Sequence, residues 1–322
     1  MKLSIIIPVY NSAQYLNECV SSLFNQGLQE DDFEILLIDD GSEDSSLSMI
    51  GQWAERCKNI RGFHQENQGQ GVARNLGIEK SYGKYIMFID SDDYIFPDKL
   101  SPLLSLMDEK NLDTVIFNIQ QELKNGKTIV SKIPNVEYNY VQNGEDVIHR
   151  YFVFGSMCRG IYKRMIYIEN KLRFRSGLTH EDSELCFRLY PLLKRIVFID
   201  ETVYFYRYNV HSTDRSREIG RIKKRIESDA ILVSHILNDV DCGMYSENVK
   251  KRYKRIANSI MSTFFVRVRK YRIWKADEFE TKIKWIKDIG VYPITGKTNS
   301  WKSFIVNKIF NVKILLRIYI YL

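Results

Sequence analysis

The chain has 322 residues, 44% of them hydrophobic and 13% aromatic, which is enough to bury one large core or two smaller ones and excludes an intrinsically disordered protein. Five cysteines (Cys19, Cys57, Cys158, Cys186 and Cys242) are odd in number and widely spaced with no CxxC pair, so they predict reduced thiols and neither a disulfide framework nor a zinc site. The net charge of +7 is unevenly spread: residues 1–214 carry 30 acidic and 23 basic side chains, a net −7, whereas residues 215–322 carry 10 and 24, a net +14. An acidic, glycine-punctuated first part suggests a catalytic body. A basic second part suggests a surface attracted to anionic lipid, a phosphorylated substrate or nucleic acid.

Residues 1–5 lead directly into an apolar run, with no basic segment, apolar stretch and small-residue cleavage site ahead of it, and this predicts a cytoplasmic location. Residues 3–9 read as a buried strand. Leu16, Cys19, Val20, Leu23 and Phe24 then recur at helical spacing, with Asn11 or Ser12 placed to cap. The same alternation continues with strands over 34–39, 59–65 and 84–90 and helices over 44–57 and 71–80. Strands apolar on both faces and joined by helices predict a parallel sheet covered on both sides, in which ligands bind beyond the carboxyl ends of the strands.

Three polar clusters fall at such ends. In Pro8-Val9-Tyr10-Asn11, an aromatic and an amide could stack on and hydrogen-bond a planar base, or simply form a strand exit and a helix cap. In Asp39-Asp40-Gly41-Ser42, one carboxylate could accept from a base or ribose, or make an Asx-turn. The third cluster, Asp90-Ser91-Asp92-Asp93, follows the apolar run 85–89. Its first and third residues lie on the same side of an extended segment, where two hard oxygen donors can converge on a divalent cation shared with substrate phosphates. A solvated turn does not explain three carboxylates at the end of a buried strand.

The blocks SIIIPVYNSAQYL, ILLIDDGSEDSS, NQGQGVARNLGI and YIMFIDSDD occur in the order and at about the spacing of family 2 glycosyltransferases. The resemblance is close over about residues 3–100 and looser to about 210. It implies the α/β GT-A nucleotide-diphosphosugar transferase fold, a Rossmann-like, mostly parallel sheet flanked by helices, followed here by a basic, mainly helical C-terminal region. It implies that Pro8 and Tyr10 line the nucleoside site and Asp40 meets the base. Asp90 and Asp92 become the two acids of the DXD motif, the last of which ligates the Mn2+ or Mg2+ that bridges the diphosphate. Arg74 could add positive charge near the phosphates or be a surface residue of an amphipathic helix, and Asn67 resembles the polar residue that opens its block. The block 69–74 is no dinucleotide fingerprint, since position 74 is not glycine.

An inverting transferase also needs a base for the acceptor hydroxyl, and the resemblance assigns it to Asp182 of His180-Glu181-Asp182; the structural alternative is a capping box from Thr179 to Asp182. His180 carries no assignment. Arg207 and His211, in a segment that loosely matches one closing the site in relatives, are possible phosphate or metal contacts. The expected division is a catalytic domain over 1–214, a basic helical region over 215–300, with long helices over 221–237 and 247–271, and an amphipathic tail over 301–322. That tail has no apolar run near the roughly 18 to 20 residues of a spanning helix. It reads as an interfacial segment on an anionic membrane, the alternative being a helix docked on its own domain or on a partner. No nucleic-acid motif accompanies the basic patches.

The function expected on this resemblance is metal-dependent, inverting transfer of a hexosyl or N-acetylhexosaminyl group from a nucleotide-diphosphosugar, a UDP-sugar foremost. The acceptor would be a glycan or lipid-linked, in bacterial surface-polysaccharide assembly at the inner face of the cell membrane. The alternatives are a sugar-nucleotide-binding or membrane scaffold without turnover, and an aspartyl-phosphate phosphatase that would use the DxD of FIDSDD.

Overall fold

Apolar side chains on both faces make Leu3–Val9 (β1) and Phe33–Asp40 (β2) strands without an exposed residue. They form the centre of a sheet in a computed structural model that describes residues 1–151, 155–209, 218–242 and 245–322. His211 and the expected boundary at 214 lie outside the described residues. Between the central strands and the next two, β3 (Ile60–Gln65) and β4 (Tyr85–Phe88), run the helices α1 (Ala13–Ser22), α2 (Ser46–Arg56) and α3 (Gln70–Lys80). All four strands are parallel, in the order β3-β2-β1-β4.

Two boundaries differ from expectation for local reasons. The second helix starts at Ser46 because Asp44 makes an Asx-turn ahead of it, accepting from Ser46 N at 2.9 Å, while its other oxygen accepts from Ala13 N at 3.1 Å. The fourth strand stops at Phe88 because the chain turns away after Ile89 N makes one last bond to Ile6 O at 3.1 Å. Ser12 does precede α1, but its hydroxyl donates to Tyr10 O and does not cap the helix.

The chain continues through β5 (Tyr94–Ile95), α4 (Leu100–Glu109), β6 (Thr114–Glu122), β7 (Thr128–Ser131), β8 (Val141–Gln142), α5 (Gly144–Arg150), β9 (Gly160–Lys163), α6 (Arg164–Glu169), α7 (Glu181–Leu189) and β10 (Ile196–Tyr206). This half of the sheet is mixed. β9 lies antiparallel between β4 and β6, β10 runs parallel to β6, and β5 closes that edge antiparallel to β10. Strands of two to four residues carry too little alternation to be read from sequence.

These elements make one compact unit, Met1–Gly177 with Glu181–Asn209. A second unit takes Leu178–His180 and the chain from 210 onward. Its described part is helical: α8 (Ile219–Asp241), α9 (Glu247–Tyr271), α10 (Phe279–Asp288), α11 (Trp301–Phe310) and α12 (Lys313–Tyr321). Ser246 caps α9 by accepting from Val249 N. Ile226, Val233 and Ile236 of α8 and Tyr253, Ile256 and Phe264 of α9 are buried in this unit, and Phe265 joins Trp274, Tyr292 and Phe310 in edge-to-face ring contacts.

The placement of α3 on the sheet depends on a missing side chain. A Cβ at Gly77 would stand 2.3 Å from Ile6 Cγ2, so α3 lies closer to β1 than any other residue would permit. Gly77→Ala is expected to cost about 1–3 kcal/mol through overpacking, read as a lower urea midpoint at unchanged slope. A midpoint equal to the parent's would show that α3 can move without consequence.

Candidate active site

The strand order reverses between β1 and β4, and this is where an open α/β sheet presents a crevice at its carboxyl edge. β2 accompanies β1 as far as the pair Val9 and Asp39, whereas β4 leaves it after Ile6 and Phe88. Pro8, which has no N–H to give, falls on the stretch with one released edge. Tyr10 beyond it is 47% exposed, available to stack on a planar ligand. The segment that follows β4 is fastened back to the same place by a Ser91–Ser12 hydroxyl bond of 2.7 Å.

The three carboxylates of FIDSDD have separate surroundings. Asp90 Oδ1 is paired with an Arg74 nitrogen at 2.7 Å. Asp92 Oδ2 accepts from the Asn209 amide at 2.9 Å, and burial followed by the charge of Asp90 raises its carboxyl above the usual range. Asp93 is buried and accepts from Tyr204 Oη at 2.6 Å and from Arg207 N at 2.8 Å. Burial, then Asp92 and Asp90, push its carboxyl well up. One acid is therefore ion-paired, one is half-buried and one is locked into the sheet as an anchor. Tyr204 fixes both ends of the motif, since its hydroxyl also accepts from Asp90 N at 3.1 Å. Sequence reasoning did not find Tyr204 or Asn209, because they are separated from the motif by more than a hundred residues.

Arg74 is the hub. Its guanidinium is 1% exposed and meets Asp90 at 2.7 Å, Asp182 at 2.6 Å and Glu181 at 3.2 Å. Burial lowers its proton affinity, but Asp182, then Asp90, outweigh that effect and hold it well above its ordinary value. Carboxylates surround the guanidinium, so it positions acids, and its burial overturns the alternative of a surface residue on an amphipathic helix. Gly71, one turn earlier on α3, makes room, since a Cβ there would lie 3.1 Å from Glu181 Cγ and 3.2 Å from Phe174 Cβ. Glu181 also accepts from the Gln70 amide at 2.5 Å. Its burial and the neighbouring Asp182 charge raise it from 4.5 to about 7.

Asp182 stands in the first turn of α7, with Oδ1 on Arg74 and Oδ2 accepting from Met157 N at 3.0 Å. The capping-box alternative does not hold, because the Thr179 hydroxyl is buried with no hydrogen-bond partner among the described residues. His180 is tied to Asp229 at 3.2 Å within the helical unit. Arg207 braces the motif segment, donating from Nε to Asp92 O at 2.9 Å and pairing with Glu18 at 2.7 Å.

Asp40 also has partners other than those expected. It is buried, and its oxygens accept from the Gln65 amide, Gln68 N and Gly69 N at 2.8–2.9 Å, so it shapes the loop that leads into α3 instead of opening toward a base. Its neighbour Asp39 makes the Asx-turn alternative, accepting through Oδ2 from Gly41 N and Ser42 N at 3.2 and 3.3 Å and holding His64 Nδ1 at 2.7 Å, while Oδ1 is buried without a partner among the described residues. All five cysteines are free, with Cys19, Cys158 and Cys186 buried, as expected of reduced thiols.

The donor set suits a hard divalent cation. No other described residue donates to Asp90 Oδ2 or Asp92 Oδ1, and a cation there would relieve the mutual repulsion that raises Asp92. Among the described residues no three His, Cys, Asp or Glu side chains gather into a cage, so such an ion would draw the rest of its shell from phosphate oxygens and water.

The 3-2-1-4 strand order, the acids at the ends of β2 and β4 and the mixed second half define a GT-A α/β fold. The chain belongs to glycosyl transferase family 2, whose family model matches residues 4–169, just over half of it. Curated glycosyltransferases of Bacillus subtilis and Escherichia coli are 31–34% identical over 216–226 residues, 65–67% of this chain, and the match spans about three fifths of their length, 61–63%. A poly(ribitol-phosphate) beta-glucosyltransferase of Bacillus spizizenii is 31% identical over 64% of this chain and 32% of its own. Among solved structures, S. aureus TarS 1–349 in complex with UDP-GlcNAc superposes with a TM-score of 0.69 at 20% identity, covering 99% of this chain and 90% of that one. The mannosyltransferase PcManGT of Pyrobaculum calidifontis, in complex with GDP-Man and Mn2+, superposes at 0.54 and 14% identity, covering 97% and 87%.

Removing the hub should be costly. Arg74→Gln leaves three acids facing one another in a buried place and is expected to lose about 3–5 kcal/mol of unfolding free energy; a loss below about 1 kcal/mol would mean that the cluster is solvated. The raised Glu181 sets a pH dependence. Between pH 4.5 and about 7 the folded chain keeps a proton that the unfolded chain has released, so this group's contribution is full below 4.5 and is lost as pH rises through 7. Glu181→Gln should flatten that decline in a series of urea midpoints against pH, and a slope identical to the parent's would place the titration elsewhere.

Proposed function

We propose that this chain is a metal-dependent, inverting glycosyltransferase. It would move a hexosyl or N-acetylhexosaminyl group from a nucleotide-diphosphosugar, a UDP-sugar first among them, to a glycan or lipid-linked acceptor in bacterial surface-polysaccharide assembly. It would work at the inner face of the cell membrane. The observation that carries this reading is the two-pronged grip of Arg74, one nitrogen on the DXD acid Asp90 and the other on Asp182. A donor-side acid and a candidate acceptor-side base are thereby held a guanidinium's width apart. Family membership supports the class of reaction, and the UDP-GlcNAc and GDP-Man bound by the two structural neighbours support a nucleotide-sugar donor.

In this proposal Pro8 and Tyr10 form the nucleoside wall. Asp40 acts from behind by holding the 65–69 loop, and Arg74 keeps Asp90 and Asp182 aimed. Asp90 and Asp92 would hold Mn2+ or Mg2+, which supplies Lewis-acid neutralisation of the charge that develops on the diphosphate. The acceptor oxygen attacks the anomeric carbon on the face opposite the leaving group while the bond from that carbon to the diphosphate oxygen breaks. Asp182 takes the acceptor's hydroxyl proton, and the electron pair of the broken bond leaves on the nucleoside diphosphate. The Arg74 guanidinium, 2.6 Å from Asp182 Oδ1, orients that carboxylate for the role.

The first measurement is a thermal-shift panel of nucleoside diphosphates with and without Mn2+, followed by transfer assays. A ligand at a hundred times its dissociation constant should add about 2.7 kcal/mol of apparent stability. Asp92→Ala should lose the Mn2+-dependent part of that shift. Asp182→Asn should keep it while transfer falls about 10²- to 10⁴-fold, the usual contribution of a positioned base. Transfer at the parental rate in Asp182→Asn would remove the base assignment. Donor binding with no transfer to any acceptor would favour a scaffold that retains the fold without the chemistry.

A further inference from the structure

The last two helices of the chain bury Phe310, Leu316 and Ile320 inward and yet carry a second set of apolar side chains outward. α11 turns Asn307 inward, where its amide accepts from the Ser262 hydroxyl at 2.7 Å and donates to the Asn258 carbonyl at 3.3 Å, both on α9. Outward it turns Trp301, Ile305 and Ile309, spaced four apart on one face, with Phe304 beside them; Trp301 is 70% exposed. α12 buries Leu316 and Ile320 and exposes Ile314, Leu315 and Ile318, with Ile314 72% exposed. Single exposed aliphatics are ordinary on any protein, but a row continued over two successive helices is not.

We infer that the outward faces of α11 and α12 form one surface that seats on an anionic lipid bilayer. The charges interleaved with the apolar row choose this occupant. Lys302, Lys308, Lys313 and Arg317 are all exposed, and no acidic residue follows Asp288. Among the described residues, Lys302, Lys308 and Arg317 have no carboxylate partner, and only Lys313 has one, Glu280 at 2.5 Å. The Lys302 and Lys308 ammonium groups lie 5.9 and 5.0 Å from the Trp301 and Phe304 ring centres, so cation and ring share one level of the surface. That is the arrangement a headgroup boundary accepts, with rings and aliphatics below it and ammonium groups among the phosphates. A second copy of the chain docking by a two-fold axis would set the same lysines against each other. Nucleic acid would satisfy the lysines and leave the isoleucines in water. At 10 and 9 residues neither helix can span a bilayer, so the surface lies in the interface. The inference does not depend on the transferase reading.

Flotation of the full chain with phosphatidylcholine vesicles, with and without phosphatidylglycerol, tests it. The parent should float with the anionic vesicles, less so as salt rises, and Trp301 fluorescence should be quenched by brominated acyl chains, with Trp301→Phe as the blank. Ile305→Glu combined with Ile314→Glu changes only exposed positions, so it should keep the parental helical content and lose flotation. Lys302→Gln with Lys308→Gln should weaken partitioning onto anionic vesicles about fivefold per lysine and leave the neutral ones unchanged. Flotation of the double glutamate variant at the parental level would overturn the proposal, because attraction of basic residues alone would then account for binding. Absence of flotation, with sedimentation velocity showing a parental dimer that the glutamates split, would overturn it in favour of a second copy.

Discussion

The catalytic unit is organised around one buried guanidinium. Arg74 is almost without contact with water, so it depends on ionic partners, and three carboxylates from two distant parts of the chain supply them. A single positive charge among three potential negative ones leaves an excess of acid, and burial settles which group gives way: Glu181, the most enclosed, is raised to about 7 while Asp90 and Asp182 stand closer to the open side. Buried ion clusters of this kind are poor sources of stability and good sources of geometry. The position of α3, made possible by Gly71 and Gly77, therefore matters less for holding the fold than for bringing the strand-β4 acid and the helix-α7 acid to one point.

The carboxylate crowding of FIDSDD finds its compensation in unlike surroundings. Asp93 ties the motif to Tyr204 of β10 and to Arg207 just beyond it. That anchoring leaves Asp90 and Asp92 as the acids with an oxygen to offer. Ser12, Ser91 and Arg207 then fix the segment from three sides, so the two carboxylates are held in place before any ligand arrives.

Much of the first hundred residues was legible because the physics there is local. Strands buried on both faces announce themselves as apolar runs, and 3–9 and 34–39 did so to within a residue or two. The helices 219–241 and 247–271 were readable from their period for the same reason. Partnership was not legible. Arg74 and Asp182 are 108 positions apart, and nothing in an amphipathic pattern says whether a guanidinium on it faces water or acids; the small residues Gly71, Ala73 and Gly77 around it were the available hint that this face of α3 is pressed against something. Asp40 and Asp39 show the same limit, since adjacent acids after a strand have the same signature whether they face a ligand or a backbone loop. Residues 95–177 carried no such reading, because apart from β6 their strands are only two to four residues long.

The path of the chain just before α7 bears on how the molecule can be divided. Leu178–His180 belong with the helical unit, where Thr179 N donates to the Ser228 hydroxyl and His180 meets Asp229, yet the next two residues are Glu181 and Asp182, which meet Arg74. A fragment ending at 209 would therefore not be a trimmed enzyme. It would release Thr179 and His180 from Ser228 and Asp229, immediately upstream of the acids that Arg74 holds.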